Sequence, residues 1–401
     1  MQAANAHGPR PLIVALTGLL ALAIAMGIGR FAFTPLLPMM LHDGLLDLSQ
    51  ASWLASANYL GYWLGAMGCA LQPLLWRRWG RPPLEPTTMV RIGLAATVLL
   101  TLGMALPWPG AWGLWRGLAG LASALVFVYV SGWCLARLSE LGAPSLAGII
   151  YVGPGLGIAV SGFAVTAMVA LDLRAAAGWA CFALLALALT LLAWPRLQGP
   201  VQATTSAAPE DRLPAWGSIA AFTLAYGLAG FGYIITATFL PVIARQALPG
   251  SIWLDLFWPI FGVSVAIGAL VTVRMPARWN RLHLLMACHA LQALGVMLGL
   301  WWPSLAGFAI GSVLLGLPFT AITLFAMQES RRLRPRNASS LIGLLTAAYG
   351  LGQILGPALV AWWLPQAQTV SQGFEGSLQT AAAGLVLGLV IYAVLARRAA
   401  P

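Results

Sequence analysis

The 29 residues from Leu12 to Met40 contain one charged side chain, Arg30, and apolar stretches of this kind recur along the whole chain. About 20 apolar residues suffice to cross a bilayer as a helix, the conformation that satisfies its own backbone hydrogen bonds there. Segmentation on that basis predicts twelve helices, near 12–40, 51–75, 90–106, 111–136, 146–171, 176–194, 215–243, 253–273, 282–301, 304–328, 338–363 and 378–395. A soluble fold could not hide this much apolar surface, since 60% of the 401 residues are hydrophobic and only 8% are charged. The expected fold class is an all-α polytopic membrane protein.

The halves of the chain echo one another. Gly27-x-Gly29 and Pro38 return as Gly230-x-Gly232 and Pro241 at an offset of 203, which sets Arg30 opposite Tyr233. Arg137-Leu138, Ser145-Leu146-x-Gly148 and Gly155-Leu156-Gly157 return at an offset of 195, as Arg332-Leu333, Ser340-Leu341-x-Gly343 and Gly350-Leu351-Gly352. These repeats predict two pseudo-symmetric six-helix bundles, residues 1–194 and 215–401. The Pro- and Thr-rich stretch 195–214 joins them as a linker of little order.

All 21 basic residues are arginine, and their distribution is topological. With the N-terminus inside, seventeen fall in cytoplasmic segments; Arg174 and Arg245 lie outside, and Arg30 and Arg116 within spans. This is the positive-inside pattern, which predicts an inner-membrane protein with both termini cytoplasmic and excludes a nucleic-acid role for the net charge of +11. Arg10 ahead of an apolar run containing Ala23-x-Ala25 imitates a signal peptide, but the run is too long and holds Arg30, so it reads as an uncleaved first helix. Cys69, Cys134, Cys181 and Cys288 fall on four separate predicted helices as buried thiols, with no disulfide expected.

A guanidinium at bilayer depth costs roughly 2.5–3.5 kcal/mol, so it faces a cavity or a partner. Gly27, Arg30 and Thr34 follow i, i+3, i+7 spacing, which predicts one inward stripe of a small surface, a cation and a hydroxyl. Arg116 is the second buried cation, about 8 Å inward from the outer end of the fourth helix, with Arg30 about 15 Å inward on the first. Both invite the bidentate geometry of carboxylate or phosphate recognition. Alternatively each caps backbone carbonyls or reaches water, with Asp43 or Asp47 helping Arg116. Asp and Glu lie only in loops or at span edges, as Asp255 does, which argues against efflux of cationic compounds. Asn58 and Tyr62 face the interior at i, i+4, with Tyr59 beside them, and Gly61, Gly65 and Gly68 favour close helix packing. Tyr226, Gly230 and Tyr233 form a stripe on the seventh helix, with Thr320 and Thr323 on the tenth and Tyr349 and Gln353 on the eleventh. These polar groups either orient a solute or bond one another.

The twelve spans, the 6+6 duplication and the turn Arg78-Trp79-Gly80-Arg81, echoed by Arg278-Trp279-Asn280-Arg281, resemble the major facilitator superfamily. Gly-Ile-Gly-Arg-Phe at 27–31, Pro35-Leu-Leu-Pro38 and Trp53 to Gly65 resemble its YbfB/YjiJ-like branch. The resemblance spans essentially the whole chain. It implies conformational roles for Gly80 and Arg81, although Arg77 stands where the motif's acidic residue belongs. It implies a substrate or proton role for Arg116, which opens an Arg-x-x-x-Gly motif ending at Gly120. Gly153, Pro154 and Gly157 partly match its antiporter motif, with Ile158 in place of a second glycine.

The expected function is a secondary transporter of a small organic solute, most simply an anion. It would work in the lipid bilayer by alternating access, as a monomer, with a proton or counter-anion as coupling partner. Arg30, Arg116, Thr34, Asn58, Tyr233, Tyr349 and Gln353 are the candidate substrate-binding residues. Efflux of neutral lipophilic compounds is the alternative, and a sensor or assembly factor the alternative of another class. No HExxH, Gly-x-Ser-Gly or paired intramembrane carboxylates are present, so no enzyme is expected. No cofactor is expected. His283, Met286, Cys288 and His289 are donor types for a soft metal, but the resemblance implies that their helix lies on the outside of the bundle, and Cys288 points away from the Met286–His289 face, so no metal site is expected either.

Overall fold

The computed structural model describes residues 10–80, 84–198, 216–251, 253–276, 278–334 and 338–399, and every regular element among them is helical. The first bundle comprises α1 (Pro11–His42), α2 (Leu48–Arg78), α3 (Pro86–Gly103), α4 (Pro109–Glu140), α5 (Pro144–Ala170) and α6 (Ala175–Arg196). The second comprises α7 (Trp216–Ala247), α8 (Leu254–Arg274), α9 (Arg281–Trp301), α10 (Leu305–Leu333), α11 (Ala338–Trp363) and α12 (Val370–Ala399). The linker expected over 195–214 lies, from 199 onward, outside the described residues. Eleven of these stretches are long and apolar enough to cross a membrane; α2, at 31 residues, has ample length for the twelfth crossing. Below, the terminal side is the one on which α1 begins and α12 ends; the far side is its opposite.

The duplication is visible in the packing. Helix α1 lies on α5 as α7 lies on α11, and α2 on α4 as α8 on α10. Gly155 and Gly350, equivalent in the repeat, both meet the other bundle: a Cβ would lie 2.4 Å from the Ala266 nitrogen on α8 or 2.6 Å from the Trp63 ring on α2. Gly157 and Gly352 both meet the first helix of their own bundle, at Gly27 and Gly227. The symmetry breaks at the terminal ends, where α5 opens as a 3-10 turn over Pro144–Tyr151.

Three expectations are corrected. Helix α12 begins at Val370, eight residues before the anticipated start. The hydroxyl of Thr369 accepts from the Gln372 N–H while the Gln372 side chain accepts from the Gln368 N–H, a capping arrangement readable in Thr-x-x-Gln. Helix α10 runs on to Leu333, so it contains Glu329, a carboxylate only 2% exposed and held by Arg332 at 2.7 Å; the helices are therefore not free of buried acid. Cys181 is exposed on α6, whereas Cys69, Cys134 and Cys288 are buried.

Charged side chains near the ends secure helix termini. The Asp43 carboxylate accepts from the Ala175 N–H at 2.7 Å, capping α6, and Asp47 accepts from the Gln50 N–H; neither serves Arg116. On the terminal side Arg91 donates to the carbonyls of Leu197 at 2.8 Å and Trp194 at 3.3 Å, closing the C-terminal end of α6. Arg91→Met removes this cap and is expected to lower stability by about 0.5–1 kcal/mol, read as the thermal unfolding midpoint of the purified protein.

Candidate functional site

The centre of α1 is not α-helical. Ala23–Phe31 forms a π-helix between α-helical Pro11–Leu22 and Phe33–His42. Its i→i+5 bonding widens the turn, so the inward stripe expected of Gly27, Arg30 and Thr34 is split. Gly27 packs backbone-to-backbone on Gly157 of α5, where a Cβ would lie 2.4 Å from the Gly157 Cα. Gly153 seats the preceding turn against the Leu19 carbonyl. Arg30 and Thr34 instead face the second bundle. Pro35 follows, and lacking an N–H it cannot donate to the carbonyls four and five residues earlier, Phe31 and Arg30.

Arg116 meets the Arg30 part of that deficit and reaches the Gly29 carbonyl as well. Its two terminal nitrogens donate to the carbonyls of Gly29 at 3.3 Å and Arg30 at 3.1 Å, and the guanidinium lies 4.8 Å from the Phe33 ring. The carbonyl of Arg116 in turn accepts from the Asn58 amide at 2.8 Å, and Ser123 donates to the Ala25 carbonyl at 2.7 Å. Arg116 and Asn58 thus knit α1, α2 and α4 together within one bundle.

Arg30 does the opposite and reaches across. It donates to the Gln353 side-chain carbonyl at 2.6 Å, and the Gln353 amide donates to the Tyr233 hydroxyl. The guanidinium rests 4.0 Å from the Tyr62 ring centroid and 5.0 Å from that of Tyr59. Arg30 is 3% exposed, Gln353 2% and Tyr233 fully buried, and among the described residues no carboxylate pairs with Arg30 or Arg116. The Nε of each arginine has no partner among the described residues.

Around this centre the bundles are tied on the far side by Thr34, donating to the Ala237 carbonyl at 3.1 Å, and by the hydroxyls of Tyr59 and Thr238 at 2.9 Å. On the terminal side the Trp63 indole of α2 donates across to the Ala347 carbonyl of α11 at 2.9 Å, and a row of rings lies within the second bundle. Tyr233 stacks on Tyr349 at 5.9 Å, Tyr349 lies 4.9 Å from Tyr226, and Phe319 sets its edge on Tyr233 at 5.1 Å. Tyr226 closes the row by donating to Thr323 at 3.2 Å.

Of the residues singled out from sequence, Arg30, Tyr233, Tyr349 and Gln353 come together, and Thr34 flanks them. Arg116 and Asn58 serve the backbone beside the site. Gly153 and Gly157 form the seat of the π-helix, with Pro154 buried between them. Gly80 turns the chain after α2 with φ +60°, and Arg81 lies outside the described residues. Sequence reasoning missed Phe319 and Thr238: an apolar ring and a helical threonine carry no local signal of facing a site. His289 sits between α9, α7 and α12, its ring nitrogens 2.9 Å and 3.1 Å from the carbonyls of Leu285 and Ala225.

A family model described as the uncharacterised MFS-type transporter YbfB matches residues 22–393. No curated protein sequence matches the chain. Among solved structures it is similar to a point mutant of the nucleoside transporter NupG, with a TM-score of 0.72 and 17% identity over 96% of this chain and 99% of that one. A D-xylose–proton symporter matches with a TM-score of 0.72 and 14% identity, over 95% and 97%. A bacterial homologue of the human lysosomal transporter Spinster, in an inward-facing and unoccupied conformation, matches with a TM-score of 0.69 and 12% identity, over 97% of each chain. At these identities the likeness is one of fold: twelve helices in two bundles.

Proposed function

Because this chain belongs to the YbfB family of major facilitator superfamily transporters, we propose that it moves a small organic anion across the bacterial inner membrane by alternating access about Arg30. The observation that carries this reading is a guanidinium buried between the two bundles that donates to a neutral side chain, Gln353, rather than to a carboxylate. A charge held there without a counter-charge is costly, and an anion offsets that cost when it binds.

The proposed cycle follows from which bonds cross between bundles. An anion arriving from the terminal side engages Arg30 and competes with Gln353 for it. That loosens the link to Tyr233 on α7, and the bonds of Thr34 and Tyr59 on the far side are the next to part as the bundles rock. The boundaries 1–194, 195–214 and 215–401 define the moving halves in this scheme. Gly80 and Arg81 are assigned the conformational role at the terminal side, and Gly153, Pro154 and Gly157 serve as the bearing under α1. The arginine-rich terminal side faces the cytoplasm. Coupling is by a proton carried on the substrate or by a counter-anion, and the working unit is a monomer.

Thermal unfolding of the purified protein against carboxylates, phosphates, sulfonates and neutral controls tests the proposal. A ligand at 100 times its dissociation constant is expected to add about 2.7 kcal/mol of stability. Arg30→Gln is expected to remain folded and lose that response. If no anion acts and neutral lipophilic compounds do, the aromatic rings beside Arg30 are the binding surface and the efflux reading replaces this one.

A further inference from the structure

Resting on that reading, we propose that the site selects singly charged carboxylates borne on a flat aromatic body. Charge restricts the ligand first. Two arginines lie near the centre, but both terminal nitrogens of Arg116 are committed to the carbonyls of Gly29 and Arg30 within its own bundle. That leaves one guanidinium, Arg30, to meet a ligand. Among the described residues no carboxylate pairs with it. One negative charge offsets Arg30. A second would be left to Arg116, which keeps its charge but whose terminal nitrogens already bond two carbonyls, and in a site 3% exposed an anionic group short of donors is costly. A neutral analogue leaves Arg30 as it was and gains nothing from it.

Shape restricts it further. From Gln353 toward the terminal side runs a row of rings: Tyr233 and Tyr349 are inclined by 27°, Tyr349 and Tyr226 by 34°. Phe319 stands nearly perpendicular to Tyr233, at 87°. Such a row offers faces and edges to a planar π-system and rewards it beyond the apolar area that any chain would bury. Tyr349 is one helical turn from Gln353, so a ring directly attached to a carboxylate reaches the row while its carboxylate is on Arg30. The bonds of Thr34 and Tyr59 close the far side; on the terminal side Tyr349 and Phe319 are partly exposed, and the bond from Trp63 to the Ala347 carbonyl is the one that parts for a ligand to reach the row.

The probes are benzoate, its neutral counterpart benzamide, the dianion phthalate and the ring-less monoanion acetate, each titrated by thermal shift against the intact purified protein. Benzoate is expected to bind at least about ten-fold more tightly than each of the other three. In Gln353→Glu a built-in carboxylate reaches Arg30 and takes the ligand's place. This variant is expected to unfold no earlier than the native protein and to lose the benzoate response. Tyr349→Leu reads the ring preference separately and is expected to bring benzoate down to the level of acetate. If no anion of any kind shifts the native protein, the anion-transport reading itself falls. If anions bind but phthalate or acetate matches benzoate, that reading stands and the selectivity proposed here is wrong. Retention of benzoate binding by Gln353→Glu overturns it equally.

Discussion

Arg116→Met is expected to lower the unfolding free energy by about 2–4 kcal/mol. The substitution keeps the bulk of the side chain and strands two acceptors, the carbonyls of Gly29 and Arg30. A buried carbonyl left without a donor costs about 1–3 kcal/mol, and in hydrocarbon water is not at hand to replace it. Part of the loss is returned, because methionine does not carry a charge that must be desolvated. The balance stays unfavourable because Pro35 has no N–H with which to satisfy the Arg30 carbonyl. Arg116→Lys should recover little, since a single ammonium on a flexible stem does not match the fork that reaches both oxygens. The measurement is the unfolding midpoint in detergent, with Arg30→Gln run alongside. A large drop for Arg116→Met and a small one for Arg30→Gln would separate a strut from a binding group. Equal drops would mean that both arginines are structural.

The largest packing effect is expected at Gly61. Helices α2 and α4 approach until their backbones touch: a Cβ on Gly61 would lie 1.8 Å from the Gly117 carbonyl oxygen, and one on Gly120 would lie 1.9 Å from that of Asn58. Side chains can turn aside from an intruding methyl group, but a carbonyl inside a helix moves only with the helix. Gly61→Val is therefore expected to cost about 3 kcal/mol or more, at or beyond the upper end of overpacking penalties. It should also disturb the bond from Asn58 to the Arg116 carbonyl, three residues away on α2. Gly132 on α4 is the control. No atom lies within 4 Å of a Cβ added there, and Gly132→Ala is expected to be neutral or to stabilise by about 0.5–1 kcal/mol through lower chain entropy. Similar midpoints for Gly61→Val and Gly132→Ala would show that the α2–α4 contact is looser than described.

Hydropathy and length located the crossings because each membrane helix closes its own hydrogen bonds, so its existence depends on local composition. The same locality explains where boundaries slipped. At the start of α12 the polar capping residues that launch the helix, Thr369 and Gln372, look like loop when only apolar content is weighed. Likewise Glu329 seemed to lie beyond α10, because a charge usually marks a helix end, whereas here Arg332 accompanies it within the helix. The repeat glycines were legible as partners, Gly155 with Gly350 and Gly157 with Gly352, because a close approach tolerates only a missing side chain and both bundles keep it in register.

The two buried arginines show where such reading stops. As sequence, Arg30 and Arg116 are the same event: a guanidinium in an apolar segment, able to cap carbonyls or to await an anion. By itself the sequence determined that both sit at membrane depth, that the chain is duplicated, and that Tyr233 answers Arg30 across the repeat. Which arginine does which was decided by tertiary structure. The π-helical turn over Ala23–Phe31 aims Arg30 at Gln353 in the second bundle, while Pro35 withholds a donor from the carbonyls behind it and Arg116 supplies one from α4. A widened turn and a missing N–H change direction and demand without changing composition, so their effect appears only when the neighbouring helices are in place.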